Sequence, residues 1–131
     1  MPYQWVAAGY QGAIGSPGSK TICGMLYGST AFLGFLCGRN QAAEPAVEDA
    51  MRKQAIAAVH GLFSGFLERF GATECQALTR CDHSIPEEVE RFYGDEIYRD
   101  SCLPQFEYVL SYCLEQIERI AGSDGAPGGA R

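Results

Sequence analysis

No two cysteines in this 131-residue chain stand in a C-x-x-C arrangement, although the chain contains six of them. That absence removes zinc ribbons, thioredoxin-type motifs, bacterial ferredoxin loops and covalent haem attachment. Positive charge is scarce as well: ten Lys and Arg, scattered, face sixteen Asp and Glu, for a net charge of -6. With no basic patch to neutralise phosphates, nucleic acid is not an expected partner. No charged n-region precedes an apolar run near the N-terminus, so no secretory signal is read, and the expected location is cytoplasmic unless the chain is already processed. Hydrolase chemistry lacks its usual marks. No Ser occupies a G-x-S-x-G elbow, and Glu87, Glu88, Glu90, Asp95, Glu96 and Asp100 read as a solvated acidic face.

The stretch Gly12–Gly24, GAIGSPGSKTICG, comes close to a phosphate-binding loop without completing one. A Walker A loop places lysine directly after its second glycine, whereas Ser19 separates Gly18 from Lys20. The preceding WVAAGYQ is a poor strand, and no later apolar run ends in an Asp to hold magnesium. Gly12, Gly15, Pro17 and Gly18 are therefore read as an irregular turn opening into a helix, which makes Cys23, rather than Lys20, the expected functional residue.

The remaining pattern is helical, and the expected class is all-α: one small helix bundle over residues 1–121, with a glycine-rich N-terminal segment and a buried central helix. Thr21–Gly38 carries no charge over 18 residues, the lower limit for a membrane span, but four glycines and no second span argue against insertion. The Gly24/Gly28 and Gly34/Gly38 pairs allow another helix to approach closely. From Pro45 to Phe70, Val47, Met51, Ala55, Val59, Leu62, Phe63, Phe66 and Phe70 recur at helical spacing, and Gly71 ends the helix. Thr73 and Gln76 fit a capping box for a short helix, TECQALTR. Ser84–Asp100 is expected as a surface helix or loop with Phe92 and Tyr93 inserted. Ser101 is the expected cap of a last helix whose inward face is Cys102, Phe106, Val109, Leu110, Cys113, Leu114, Ile117 and Ile120. Residues 122–131 have nothing to bury and are expected to be disordered. So much uncharged helix surface suggests a homodimer.

Cys23 and Cys37 lie about 21 Å apart along one helix, and Cys102 and Cys113 about 16 Å, at about 1.5 Å per residue. Neither pair can close a disulfide, so a shared site must collect cysteines from different helices. Cys23, Cys75 and Cys102 all fall in or beside the first turn of an expected helix, where unpaired N–H groups and the helix dipole favour thiolate. Cys37 and Cys113 read as packing residues. Cys81, in RCDHS with Asp82 and His83 beside it, is ambiguous.

Several motifs carry a resemblance. CGMLYG (Cys23–Gly28) resembles the C-G-A-x-x-G element of the C_GCAxxG_C_C redox-active family, with Met25 in place of alanine, and the glycine-rich lead-in before it is similar to that family's approach. FLERFGATECQAL resembles the family's F-x-x-x-F-G-x-x-x-C-x-x-L segment, which maps onto Cys75, and SCLPQFEYV resembles its final C-P-x-x-V, which maps onto Cys102. The resemblance implies a small helical redox domain with four family cysteines, related to a domain of split-Soret cytochromes. This chain departs from it by lacking the family's first cysteine, for which Cys37, Cys81, Cys113 or a partner chain would have to substitute.

Three functions follow. The first is an electron-transfer module in which Cys23, Cys75 and Cys102, joined by Cys81 or another ligand, bind an iron-sulfur cluster, with Gly24 and Gly28 as the cofactor-facing positions. The second is a metal-free thiol-disulfide protein acting with a redox partner protein. The third is an interaction bundle with degenerate cysteines. His60 reads as a packing residue, and His83 as a loop histidine beside Cys81.

Overall fold

The structure, a computed structural model, describes residues 21–38 and 44–122. The Gly12–Gly18 turn, Lys20 and the tail after Gly122 lie outside the described residues. Those described form five α-helices and no named strand: α1 Gly24–Cys37, α2 Pro45–Phe70, α3 Cys75–Thr79, α4 Pro86–Gly94 and α5 Leu103–Ala121, with a π-helical turn, Tyr98–Cys102, leading straight into α5. No helix among them is long and apolar enough to cross a membrane.

The boundaries of α2 follow from local chemistry. Pro45 opens the helix, where its missing N–H costs nothing, and Gly71 closes it at φ +79° with its N–H on the Leu67 carbonyl, 2.8 Å. The first turns of α2 stand clear of the core, since Val47 is exposed and full burial begins at Ala58. Ala58, Leu62 and Phe66 of α2 meet Cys23, just before α1, Leu26 and Leu33 of α1 and Val109 of α5 in one apolar cluster. Each large side chain buried there contributes about 1.5–3 kcal/mol relative to exposure.

The glycines that permit close packing are on α2 rather than α1. A methyl group on Gly61 would meet the Tyr112 hydroxyl, and one on Gly65 would overlap that of Tyr108, whereas Gly28 and Gly34 face open space. The hydroxyl of Tyr112 crosses this seam to donate to the Ala58 carbonyl at 2.6 Å. Phe66, Phe70 and Tyr108 complete it edge to face, with the Arg69 guanidinium over the Phe70 and Tyr108 rings.

Two expectations about burial need correction. Helix α1 lies between α2 and α5, but it buries one stripe, Leu26, Ser29, Leu33 and Cys37, and leaves Phe35 65 % exposed. In α5 the buried positions are Gln105, Val109, Gln116 and Ile120, while Phe106, Leu110, Leu114 and Ile117 stand largely at the surface. These four, with Met25, Gly28 and Phe32 of α1, line an open apolar groove of about 420 Å³ along the α1–α5 seam. The periodicity is present but rotated, because α5 turns two glutamines inward. In the connecting region Phe92 is buried and meets His83 edge to face at 4.9 Å, but Tyr93 stays at the surface.

Candidate redox site

Cys23 and Cys75 are brought together by the one piece of strand-like pairing among the described residues. Ile22 and Glu74 form an isolated antiparallel bridge, in which the Cys23 N–H donates to the Thr73 carbonyl at 2.7 Å and the Cys75 N–H donates to the Thr21 carbonyl at 2.9 Å. Side chains alternate along paired strands, so Cys23 and Cys75 project on the same side of the bridge, opposite to Ile22 and Glu74. Both chains then turn directly into helices, α1 and α3.

This pairing overturns the expected capping box. The residue before α3 is Glu74, and no side chain caps the helix. The Cys75 N–H, which a cap would serve, is already bound to Thr21 across the bridge. Ser101 is not a helix cap either. The π-helical turn runs without a break into α5, and the Ser101 hydroxyl donates to the Leu78 carbonyl at 3.0 Å. That bond ties the start of α5 to the end of α3 and sets Cys102 beside the bridge.

Cys81 reaches the same region through Thr79. The buried Thr79 hydroxyl donates to the Cys75 carbonyl at 2.8 Å and accepts from the Cys81 N–H at 3.3 Å, while Arg80 takes a left-handed turn at φ +56°. The Arg91 guanidinium donates to the Arg80 carbonyl at 2.6 Å and anchors the turn from α4. Cys81 is completely buried.

Cys75 and Cys102 both feel the thiols around them. The Cys75 thiol is pushed up to about 11, mostly by burial, then by the charges that Cys23 and Cys102 would carry, partly offset by a hydrogen bond from Thr79, with a further upward push from Cys81. Cys102 is raised by burial, then by Cys23 and Cys81. Cys23 is raised too: the N–H groups of Met25 and Leu26 at the start of α1 pull its pKa down, but burial outweighs them. The expectation of thiolates stabilised at helix N-termini is thus corrected. Dipole and N–H groups act within the first turn, and a sulfur taken out of water loses more than they return. For Cys102 the advantage is absent from the outset, since the residues before it are already helical.

A buried polar chain completes the site. Gln105, 3 % exposed, directs its Oε1 at the Cys23 sulfur, 4.0 Å away, and its Nε2 donates to Ser101 Oγ at 3.1 Å. The sequence reading missed Gln105, Ser101 in this role, and Thr79. The only signal was local: Ser101 and Gln105, like Cys75 and Thr79, are four residues apart and so share a helix face.

The other candidates lie elsewhere. Cys113 sits on the groove wall, raised by burial and held down by the Ser29 hydroxyl, and Cys37 is buried at the far end of α1. Gly24 and Gly28 face the apolar groove. His60 is exposed and borders a second shallow apolar surface with Ile56 and Phe63. Of the acidic face, Glu88 is partly buried and accepts the Asp82 N–H, fastening the loop before α4.

The fold is that of a small all-α protein whose six cysteines are all free. The chain belongs to the C_GCAxxG_C_C family, described as "Putative redox-active protein (C_GCAxxG_C_C)", whose model matches residues 2–121. No curated protein and no solved structure matches it.

Proposed function

We propose that the protein is a thiol-disulfide redox protein whose working sulfurs are Cys23, Cys75, Cys81 and Cys102. The observation that carries this reading is that the bridge sets Cys23 beside Cys75, and that Cys75 is raised by Cys23, Cys102 and Cys81, and Cys102 by Cys23 and Cys81. All four are present as reduced thiols. Among the neighbouring thiols Cys23 acts most strongly on both Cys75 and Cys102, which makes it the sulfur the others share.

In the proposed step an external disulfide R–S–S–R is attacked by one cluster thiol after loss of its proton. The mixed disulfide is then resolved by a second cluster thiol, leaving one protein disulfide that includes Cys23 and two R–SH. The high thiol pKa values make attack slow at neutral pH and place it under the control of whatever removes the proton.

An iron-sulfur cluster would need several thiolates directed at shared iron atoms. Among the described residues no group of three or more His, Cys, Asp or Glu is arranged to hold a metal ion. The sulfurs as placed do not fit a cluster, and the proposed chemistry runs through sulfur alone.

Anaerobically purified protein equilibrated in glutathione buffers, with its disulfides mapped by mass spectrometry, tests the proposal. The expected result is one reversible disulfide containing Cys23. Thiols that stay reduced in strongly oxidising buffer, or a visible iron-sulfur absorption that bleaches on reduction, would overturn it.

A further inference from the structure

The amide of Gln105 joins the thiol cluster to the backbone through a hydrogen-bond chain with only one possible direction. It starts at the Leu78 carbonyl, which can only accept, so the Ser101 hydroxyl spends its single hydrogen there, at 3.0 Å. The hydroxyl oxygen is left to accept, and Gln105 Nε2 donates to it at 3.1 Å. With its NH₂ group directed to Ser101, Gln105 presents its carbonyl oxygen to Cys23 Sγ at 4.0 Å. A carbonyl oxygen accepts only, so the sulfur must bring the proton. Gln105 is nine-tenths buried or more, and water does not readily replace this donor.

We propose that Gln105 is a positioning residue for redox chemistry at Cys23: it holds the thiol as a hydrogen-bond donor and thereby favours the reduced dithiol over the disulfide. The inference rests on the participation of Cys23 in the disulfide proposed above. When Cys23 and a second cluster thiol are oxidised by R–S–S–R, one S–S bond forms in the protein and one breaks outside it. Two electrons and two protons pass to the external sulfurs, giving two R–SH. Cys23 Sγ then has no hydrogen to donate. The Gln105 carbonyl oxygen loses that donor in a buried setting, and the loss falls on the oxidised state alone.

The test is the dithiol-disulfide equilibrium in glutathione buffers at pH 7 for the full chain and three variants. Gln105→Leu removes the acceptor and is expected to shift the equilibrium about three- to tenfold toward the disulfide, lowering the potential by about 15–30 mV at roughly 30 mV per tenfold. Gln105→Glu keeps an oxygen acceptor at the sulfur and is expected to hold the parent value or move toward the dithiol. Ser101→Ala releases the amide to turn, giving a smaller shift of the same sign as Gln105→Leu. A purely structural role for Gln105 would lower stability without separating the Leu and Glu variants in potential. A Gln105→Leu protein within twofold of the parent, or shifted toward the dithiol, overturns the inference. Should that variant not fold, the sign of the Ser101→Ala shift decides in its place. A parent protein that forms no disulfide at Cys23 sinks the thiol-disulfide reading itself, whereas a parent that cycles normally with variants that do not respond sinks only the role of Gln105.

Discussion

The cysteine end and the α1–α5 groove share helices α1 and α5 and reverse the usual placement of polar and apolar groups. At the cysteine end, Gln105 is buried, and the cysteine-bearing segments are held by an antiparallel bridge and by the hydroxyls of Ser101 and Thr79. A few residues further along α5, Phe106, Leu110, Leu114 and Ile117 line an open surface. Burial here follows where hydrogen-bond partners exist. A buried amide with its partners in place costs little, whereas an apolar side chain reaches the interior only where a facing element remains to cover it.

The sharpest way to break this comparison is to exchange sulfur for oxygen on each side of it. Cys75→Ser is expected to abolish the reversible disulfide signal or confine it to the remaining cluster thiols, while Cys113→Ser on the groove wall leaves it intact. Thiol titration with mapping of the modified peptides before and after oxidation reads both. Equal loss from the two variants would erase the distinction between the regions.

Stability gives the next largest contrast. Phe66, fully buried beneath both regions, is expected to cost about 3–5 kcal/mol as Phe66→Ala. Phe106→Ala on the groove, where the ring is 49 % exposed, is expected to cost about 1 kcal/mol. Urea denaturation followed by circular dichroism measures the difference, and a groove variant as damaging as the core variant would mean that this surface is covered in solution.

Glycine substitutions sharpen the comparison further. Gly65→Ala must displace the Tyr108 hydroxyl and is expected to destabilise by about 1–3 kcal/mol. Gly28→Ala, on the groove with open space around it, is expected to be neutral or stabilising by up to about 1 kcal/mol through helix propensity. Melting temperatures of the two variants should move in opposite directions, or the Gly28 variant not at all.

The smallest effect is alkaline. Burial favours the neutral Cys75 thiol in the folded state, so its folded pKa of about 11 lies above its ordinary value of 9.0. The stability this contributes is fully present below about pH 9 and is lost as pH rises toward about 11. Cys23 and Cys102, raised for the same leading reason, add to the loss. Denaturant midpoints between pH 8 and 11 should fall with pH, less steeply in Cys75→Ala. A midpoint that rises across this range would show that the thiolates, not the thiols, are the favoured forms.

Much of the architecture was legible in the sequence because its causes are local. Pro45 and Gly71 mark both ends of α2 through backbone chemistry that needs no tertiary partner. The all-α class follows from helical periodicity, and the family membership from motifs carried along the chain. The sequence also singled out Cys23, Cys75 and Cys102 as a group, though on the argument that helix N-termini would make thiolates of them. Only the tertiary structure decided the rest. Whether dipole or desolvation prevails at a sulfur depends on how much protein closes over it, and that comes from elements distant in sequence. Which face of α5 turns inward was set by what α1, α2 and Ser101 offered as partners, so Gln105 entered and Phe106 did not. The bridge from Thr21–Cys23 to Thr73–Cys75 joins residues about fifty positions apart; it satisfies the N–H groups that local reasoning assigned to caps, because a backbone donor binds the acceptor the fold places before it.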